Sequence, residues 1–556
     1  MSTAQLRSLD KTSEAGSLDD KGGVLDSSEA AGFDSTSSEE GNVGLHEFAI
    51  AKQSGIQVTP EQNRRIARKI DIWILPMLCL AQGLSFLDKT ALNYGNLYGM
   101  TSALNVSGAQ FSWFASIFYF GYLVGNYPDS WLLQHFPTGK VLATTTLIWG
   151  TIVITTPACT NFAGTIANRF FLGLLEAIVT PGLTLLTSIW YAQNEVPFRA
   201  LVWYSFNGWA GILGGFVAYG VGHIENPQIA LWKYVFLILG GISVVFAISL
   251  WFIFPDSPVD ARFFTSEEKI LAVKRVAEAK LGVKNTQFKW YQIRHALVDP
   301  KTWLLFVGTF AAQIPNGIVT NFSTIIIKAR TIRLYRACIK ADMTQLQGMG
   351  FTTLQTTLLN AVSSVVQIAT LLTAGWICMR FKNMRVITMT ASNVVCIISG
   401  AFLTYLPTDE RWSRLVAFWF MWFQTVGFAL SLVVIANNVG GFTKKTCTTA
   451  IMFIGYCAGN VIGEYSRLRF QPRRAYLMIS QDSEAPRYRT GTMAMFISYI
   501  VETVAHIALG LYMLWSNIKR DRELGKVTSY EDQLKGEEAG MHDLTEFENR
   551  YHRYVL

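Results

Sequence analysis

Long apolar runs constrain the fold of this chain more than any other feature of its sequence. A helix needs about 20 apolar residues to cross the hydrocarbon core of a membrane, and twelve runs of that kind occur in the 556 residues. Six runs precede a hydrophilic stretch at 255–300, and six follow it. Numbered 1 to 12, they lie near 72–97, 110–133, 139–160, 162–190, 200–223, 231–254, 301–327, 349–378, 385–406, 411–436, 446–463 and 490–517. The pattern predicts an all-α membrane protein with twelve transmembrane helices in two six-helix bundles, 61–254 and 301–518.

The composition also favours a membrane protein. Only 15% of the residues are charged, against about one quarter in soluble domains. A net charge of +8 would suit nucleic-acid binding, but the bases form short clusters between apolar runs, so we expect no nucleic-acid partner. The sequence contains no ATP site, metal-ligand constellation or catalytic triad. We therefore expect no enzyme, metal or cofactor, and any uphill transport must use an ion gradient.

Basic residues beside the runs predict the orientation, because cytoplasmic loops carry an excess of Lys and Arg. With twelve crossings, these bases and both termini fall in the cytoplasm. The bases are Arg64, Arg65, Arg68 and Lys69 before run 1, Lys140 after run 2, Arg199 after run 4, Arg380, Lys382 and Arg385 after run 8, Lys444 and Lys445 after run 10, and Lys519, Arg520 and Arg522 after run 12. We expect a multi-pass protein of the plasma membrane.

The hydrophilic segments complete the predicted organisation. The first 50 residues are rich in Ser, Gly, Asp and Glu, a composition that predicts a disordered cytoplasmic tail over 1–60. A second cytoplasmic tail covers 519–556. In the loop 255–300, Thr265 and Glu268 have the spacing of a capping box, which predicts a short helix on the cytoplasmic surface.

Two apolar runs contain charges, which are costly in a membrane and usually functional. Run 1 contains "SFLDKTALNYGN", with Asp88 beside Lys89. Run 4 contains "NRFFLGLLEAIVTPG", in which Arg169, Gly173 and Glu176 share one helix face at i, i+4 and i+7. Gly173 leaves room for a ligand or for a neighbouring helix. The alternative is an ion pair that only joins helices.

The charges suggest a transport mechanism. Asp88 and Lys89 point about 100° apart on a helix, while Lys89, Asn93 and Asn96 share one face. With Arg169 and Glu176, the two acids and two bases sum to zero. An entering carboxylate leaves the site at −1, and a proton restores neutrality. Anion–proton symport follows as a hypothesis.

Amides and aromatic residues are further candidates. We assign substrate binding to Lys89, Asn93, Arg169, Asn207, Asn316, Asn321, Asn437 and Asn460, and proton coupling to Asp88 and Glu176. The amides can equally join neighbouring helices. Two roles are open for four aromatic residues near these positions, which can stack on a ring of the substrate or pack against other side chains: Tyr94, Trp203, Tyr204 and Trp209. The small residues of "GWAGILGGFVAYGVG" in run 5 favour close helix packing, as a rocking interface would need.

Several stretches resemble a known family: "FLDKTALNYGN", "RFFLGLLEAIVTPG", "GYLVGNYPDSWLLQHFPTGK" and "IPNGIVTNFSTIIIK". They are similar to the anion:cation symporters of the major facilitator superfamily. "NNVGGFTKKT", "GYCAGNVIG" and the terminal "DLTEFENRYHRYVL" resemble the fungal allantoate permease group. The resemblance implies two pseudo-symmetric bundles, alternating access and a monomer. It implies a small carboxylate substrate, with Asp88 and Glu176 as proton carriers and Lys89 and Arg169 as anion ligands.

The sequence departs from that family at several places, including a degenerate form of the superfamily's loop motif after run 2. Met379 stands where an acid often precedes the Arg after run 8, which weakens an expected gating contact. Basic inserts occur at 329–347 and 464–481, each about as long as a short fungal intron, and we hypothesise that one or both are translated introns. The alternatives to a transporter are a nutrient sensor on the same scaffold and an inactive isoform that carries the inserts. The sequence does not choose among allantoate, nicotinate and other small carboxylates.

Overall fold

Every apolar run forms one long helix or two consecutive helices in the computed structural model, which describes residues 42–54, 58–281, 284–326, 353–407, 410–465, 489–527 and 529–556. We label the resulting units α1 to α12. In the first half they are α1 Leu75–Leu97, α2 Gly108–His135, α3 Thr138–Thr155, α4a Phe162–Glu176, α4b Val179–Trp190, α5 Val196–Gly222 and α6 Leu231–Ile253. In the second half they are α7 Pro300–Ile326, α8 Thr353–Arg380, α9 Arg385–Tyr405, α10a Arg411–Phe420, α10b Gln424–Asn438, α11 Phe442–Tyr465 and α12 Arg489–Leu524.

The described helices confirm the predicted all-α membrane fold. Nine helical regions among the described residues are long and apolar enough to cross a membrane. The insert 329–347 lies outside the described residues, as does 464–481 apart from its first two residues, which end α11. The interpretation of these inserts as introns therefore stays a prediction.

Glycines bring helices close together within each half. A Cβ atom added to Gly173 of α4a would lie 2.0 Å from the carbonyl oxygen of Phe118 on α2. In the second half, a Cβ atom on Gly459 of α11 would lie 2.4 Å from the carbonyl oxygen of Phe310 on α7. Only glycine permits such contact, because any side chain would overlap the facing backbone. Gly173 was predicted to leave room either for a ligand or for a neighbouring helix, and in the structure the neighbouring helix α2 occupies that room.

The two halves contact each other through α5 on α8, α2 on α11, and α4b on α10b. A Cβ atom on Gly208 of α5 would lie 2.8 Å from the carbonyl oxygen of Ser364 on α8. The small residues of run 5 thus allow close packing between the halves, as their sequence predicts.

Short elements cover the end of the bundle at which α1 and α7 begin, which we call the terminal face. They are helices Leu45–Gln53, Pro60–Trp73, Ser266–Ala277, Trp290–Val298 and Tyr530–Met541, and strands β1 Asn42–Val43 and β2 Lys284–Asn285, which pair antiparallel.

Two predictions are tested on this face. The capping box of Thr265 and Glu268 is confirmed at the start of Ser266–Ala277. The predicted disordered tail does not extend to residue 60, because the helix Leu45–Gln53 packs against Ser266–Ala277 and β1 pairs with the loop.

Candidate substrate and proton site

Lys89 and Glu176 form an ion pair between α1 and α4a. The Lys89 Nζ lies 3.2 Å from Glu176 Oε1, and the Ser85 hydroxyl donates a hydrogen bond to the same oxygen. The Glu176 side chain is fully buried, whereas 19% of the Lys89 side chain is exposed. Lys89 is therefore the more accessible partner. The second Glu176 oxygen, Oε2, has no hydrogen-bond partner among the described residues.

Asp88 faces away from that pair, as two adjacent residues on a helix must. Its Oδ2 accepts a hydrogen bond from the Trp149 indole on α3, and the side chain is buried. Its Oδ1 has no hydrogen-bond partner in the described part of the chain. The two acids of the site thus occupy separate environments.

Arg169 is buried, and it forms no close ion pair with a carboxylate among the described residues. Only 2% of the residue is exposed, and no ion pair within 4.0 Å of it occurs among the described residues. Its guanidinium lies 5.4 Å from the centre of the Phe236 ring on α6. Its Nε and Nη2 atoms have no hydrogen-bond partner within the described ranges. A buried donor without a partner is costly and needs an explanation; an anion that binds there would supply one.

Aromatic residues of both halves form a chain of ring contacts that begins beside Lys89. Its Nζ lies 5.5 Å from the centre of the Tyr122 ring on α2. The Tyr122 ring is 5.8 Å from Tyr456 on α11, which is 5.5 Å from Phe428 on α10b. Phe428 is in turn 5.7 Å from Tyr204 on α5. We call Tyr122, Tyr204, Phe428 and Tyr456 the aromatic cluster; only Tyr204 is a candidate from the sequence.

Among the other aromatic candidates, Trp203 packs edge to face on Tyr204 of the cluster, with 5.8 Å between the ring centres. The Trp203 indole donates a 3.0 Å hydrogen bond to Thr187, and the Tyr94 hydroxyl donates to the carbonyl of Gly211 at 3.5 Å. Trp209 is 46% exposed on the outside of the described bundle. Of their two predicted roles, these contacts favour packing.

Three of the predicted amides join helices. Asn207 on α5 accepts a 3.0 Å hydrogen bond from the Gln82 amide on α1. Asn316 on α7 donates to Asn460 on α11 at 3.0 Å, and Asn460 donates to Gln313 at 3.1 Å. These bonds match the alternative that amides hold helices together.

Of the three remaining amides, two lie in the membrane helices α1 and α7. Asn93 is half-buried on the same helix face as Lys89, one turn away. Asn321 belongs to α7, but its side chain lies outside what the structure describes.

Asn437 lies at the terminal face, where the two halves meet, and not beside the site charges Lys89 and Glu176. Its amide donates to the Gln193 carbonyl at 2.9 Å, and the Gln193 amide donates to the Asn437 carbonyl at 3.1 Å. The Arg385 guanidinium of α9 donates to the same Gln193 carbonyl at 2.8 Å. Gln193 follows α4b in the first half, so these bonds cross between the halves. We call Gln193, Arg385 and Asn437 the gate.

Two further contacts close this face. The Gln134 amide of α2 donates to the Thr443 hydroxyl of α11 at 2.8 Å. Arg199 of α5 donates to the Met379 sulfur of α8 at 3.7 Å. A thioether is a weak acceptor, so Met379 retains a cross-half contact in place of an ion pair. The gate is not predictable from the sequence, since a Gln after an apolar run has no distinctive pattern.

Two helical halves that enclose buried charges and close over them at one end define a membrane transporter. The comparisons give its family. The sequence profile described as Major Facilitator Superfamily matches residues 78–464, and the chain belongs to that superfamily. It is a multi-pass membrane transporter and not an enzyme.

The relatives agree with this assignment. An uncharacterised transporter of Schizosaccharomyces pombe is 33% identical over 497 residues, covering 89% of this chain and 88% of the relative. The allantoate permease of Saccharomyces cerevisiae is 28% identical over 511 residues, covering 90% and 88%. The solved structure of a proton:xylose symporter, bound to 6-bromo-6-deoxy-D-glucose, matches with a TM-score of 0.58 at 12% identity, covering 79% of this chain and 95% of that one. This last match concerns the fold alone.

Proposed function

We propose that the protein is a proton-coupled symporter of a small organic anion that carries a carboxylate. The observation that supports this most is the buried Arg169, whose Nε and Nη2 have no partner among the described residues. A guanidinium matches a carboxylate with two parallel hydrogen bonds. Lys89, the more accessible charge, is the second anion ligand. The allantoate permease relative makes allantoate the first substrate to test.

The proton follows from the charge of the site. Asp88, Lys89, Arg169 and Glu176 sum to zero, so a bound carboxylate leaves −1. A net charge buried in a membrane is unfavourable, and protonation of Asp88 or Glu176 removes it. Glu176 is the stronger candidate, because an anion on Lys89 takes away its only ion-pair partner among the described residues.

The aromatic cluster is proposed to contact the body of the substrate. It lies beside Lys89 and is formed by both halves, so its rings separate when the halves move apart. The positive-inside rule assigns the terminal face to the cytoplasm, with both tails, in the plasma membrane. The closed gate then corresponds to an outward-facing or occluded state of a monomer.

The test is uptake into liposomes that contain the purified protein. Labelled allantoate and a panel of other carboxylates are supplied at several external pH values, with and without an uncoupler. We expect accumulation that requires a proton gradient. Glu176→Gln should exchange substrate across the membrane but lose accumulation, while Arg169→Ala should lose both. Glu225→Gln, an acid-to-amide change at an exposed loop position, is the matched control.

Each alternative has its own outcome. Uptake that ignores pH and the uncoupler but still needs Asp88 and Glu176 would contradict proton coupling. The assay is repeated with a form that lacks 329–347 and 464–481. Activity only in that form supports the inactive-isoform reading of the full chain. No uptake by either form of any carboxylate in the panel would favour a nutrient sensor.

A further inference from the structure

The last residues of the chain dock on the second half at the terminal face. The Asn438 amide at the end of α10b donates to the Val555 carbonyl at 3.0 Å, and the Val555 N–H donates to the Asn438 side-chain oxygen at 2.8 Å. The backbone N–H of Arg385 donates to the Leu556 carbonyl at 3.2 Å. We call residues 543–556 the tail segment.

A buried acid anchors this segment. Glu546 Oε1 lies 2.6 Å from Lys301 Nζ and also accepts a hydrogen bond from Lys444. Its Oε2 accepts from the Gly440 N–H at 2.9 Å, in the turn between α10b and α11. Burial alone would raise the pKa of Glu546, but the two lysines hold it well below its usual range. Lys301 also donates to the Asn438 carbonyl at 3.0 Å, which links the anchor to the end of α10b.

The residues that the tail segment holds are the gate residues or their neighbours. Arg385 binds Leu556 through its backbone and Gln193 through its side chain. Asn438 binds Val555, while the adjacent Asn437 binds Gln193. The tail segment therefore fixes the backbone from which both second-half members of the gate reach the first half.

We propose that the tail segment positions the gate and thereby stabilises the closed state of the terminal face. The tail is a positioning element, since it acts through Asn437 and Arg385 and makes no hydrogen bond or ion pair with Asp88, Lys89, Arg169 or Glu176 among the described residues. The proposal rests on alternating opening of the two faces, but not on any particular substrate or on proton coupling. A loose tail leaves the end of α10b free to shift, and the gate then opens more often.

The test measures how often the terminal face opens. Ala436 is buried, and it lines a small cavity between the halves together with Thr187. Ala436→Cys, in a chain whose native cysteines are replaced by serine, reports opening through its rate of reaction with N-ethylmaleimide. Val555→Pro removes the N–H that binds Asn438. Val555→Ala keeps that N–H and is the matched control.

The expected result is faster labelling of the Val555→Pro protein by roughly five- to thirtyfold, the factor for one or two kcal/mol. The Val555→Ala protein should label at the original rate. Asn438→Ala removes both hydrogen bonds with Val555 and should speed labelling at least as much as Val555→Pro. The double variant should label like Asn438→Ala alone, because the bond that Val555→Pro removes is already absent in it.

Other outcomes overturn the proposal. Equal labelling of the proline and alanine variants would show that the tail segment does not bias the gate. Additive effects of Asn438→Ala and Val555→Pro would show that the two residues act separately. Because both changes in Val555 lie outside the membrane helices, folded protein is expected for each, and its melting temperature is checked before labelling. The readout needs no substrate, so failure here is distinct from failure of the transport assay.

Discussion

Removal of the charge on Glu546 should strongly destabilise the second half. Asp299, Lys301, Lys444 and Glu546 form a buried set with two negative and two positive charges; Lys444 lies 2.9 Å from Asp299, and Lys301 lies 3.3 Å from it. The exposed fraction of each side chain is 1% or less. Glu546→Gln leaves this set at +1. Removal of one partner from a buried ion pair costs about 3–5 kcal/mol.

This cost translates into a measurable shift in melting temperature. For a unit of 150–250 residues, close to the size of the second half, 1 kcal/mol corresponds to about 2–4 °C. Thermal unfolding of the purified protein in detergent, followed by fluorescence, should therefore show a drop of at least about 6 °C for Glu546→Gln. Glu538→Gln is the matched control, because its pair with Lys52 is exposed and such pairs contribute about 0–1 kcal/mol.

A second substitution should restore stability. Lys444→Met in the Glu546→Gln background returns the set to neutrality, with Asp299 still paired to Lys301. The Lys444 Nζ lies 3.7 Å from the Phe547 ring centre, so a methionine keeps an aromatic neighbour. A melting temperature within about 1 °C of the original for Glu546→Gln alone, or a further fall in the double variant, would refute the reasoning.

Three other substitutions give independent checks. Gly173→Ala places a Cβ 2.0 Å from a backbone oxygen of α2 and should lower the melting temperature by several degrees, whereas Gly215→Ala, with nothing within 4 Å, should not; equal melting would contradict the packing. Burial lowers the pKa of His552 to about 3 from about 6.5 in an unfolded chain. Protons thus favour the undocked tail below pH 6.5, and docking should weaken by about 2 kcal/mol between pH 7 and pH 5. Limited proteolysis of the tail should reveal this loss in the original protein and not in His552→Gln, and an equal loss in both would count against it. Trp149→Phe removes the hydrogen bond to Asp88 and should cost about 1–3 kcal/mol in thermal unfolding, so an unchanged melting temperature would argue against that bond.

The helices and the buried charges were the predictable part of this molecule. A run of about 20 apolar residues has few alternatives to a membrane helix, and Asp88 within such a run is conspicuous because burying a charge is costly. The i, i+4 and i+7 spacing of Arg169, Gly173 and Glu176 predicted that these residues lie on one face of a helix. The sequence did not indicate which of these charges form ion pairs. In the structure Lys89 pairs with Glu176, and Arg169 has no ion pair among the described residues, because the pairing depends on how α1 and α4a are rotated about their axes.

The aromatic cluster and the gate were not predictable in the same way. Aromatic residues make up 13% of the chain, so those beside Lys89 cannot be distinguished from ordinary packing residues. The docking of the tail segment was not predictable either, because the polar stretch "DLTEFENRYHRYVL" has the composition of a solvated tail. Glu546 is nevertheless buried, because Lys301 and Lys444 at the ends of two membrane helices provide its partners. That pairing requires residues more than 100 positions apart in sequence, which local patterns do not reveal.

Competition for Lys89 gives the proposed symport a physical basis for coupling. Lys89 cannot form a full ion pair with Glu176 while it binds a substrate carboxylate. Anion binding therefore leaves Glu176 as a buried charge that keeps only the hydrogen bond from the Ser85 hydroxyl among its described contacts. A proton on Glu176 removes that charge, and the hydroxyl can remain its neighbour. Each ligand therefore lowers the cost of binding the other, without direct contact between them. Glu176 ends α4a, and α4b leads from there to Gln193 at the gate. In the proposed mechanism, neutralisation of the site and release of the gate therefore occur at the two ends of one short helical segment.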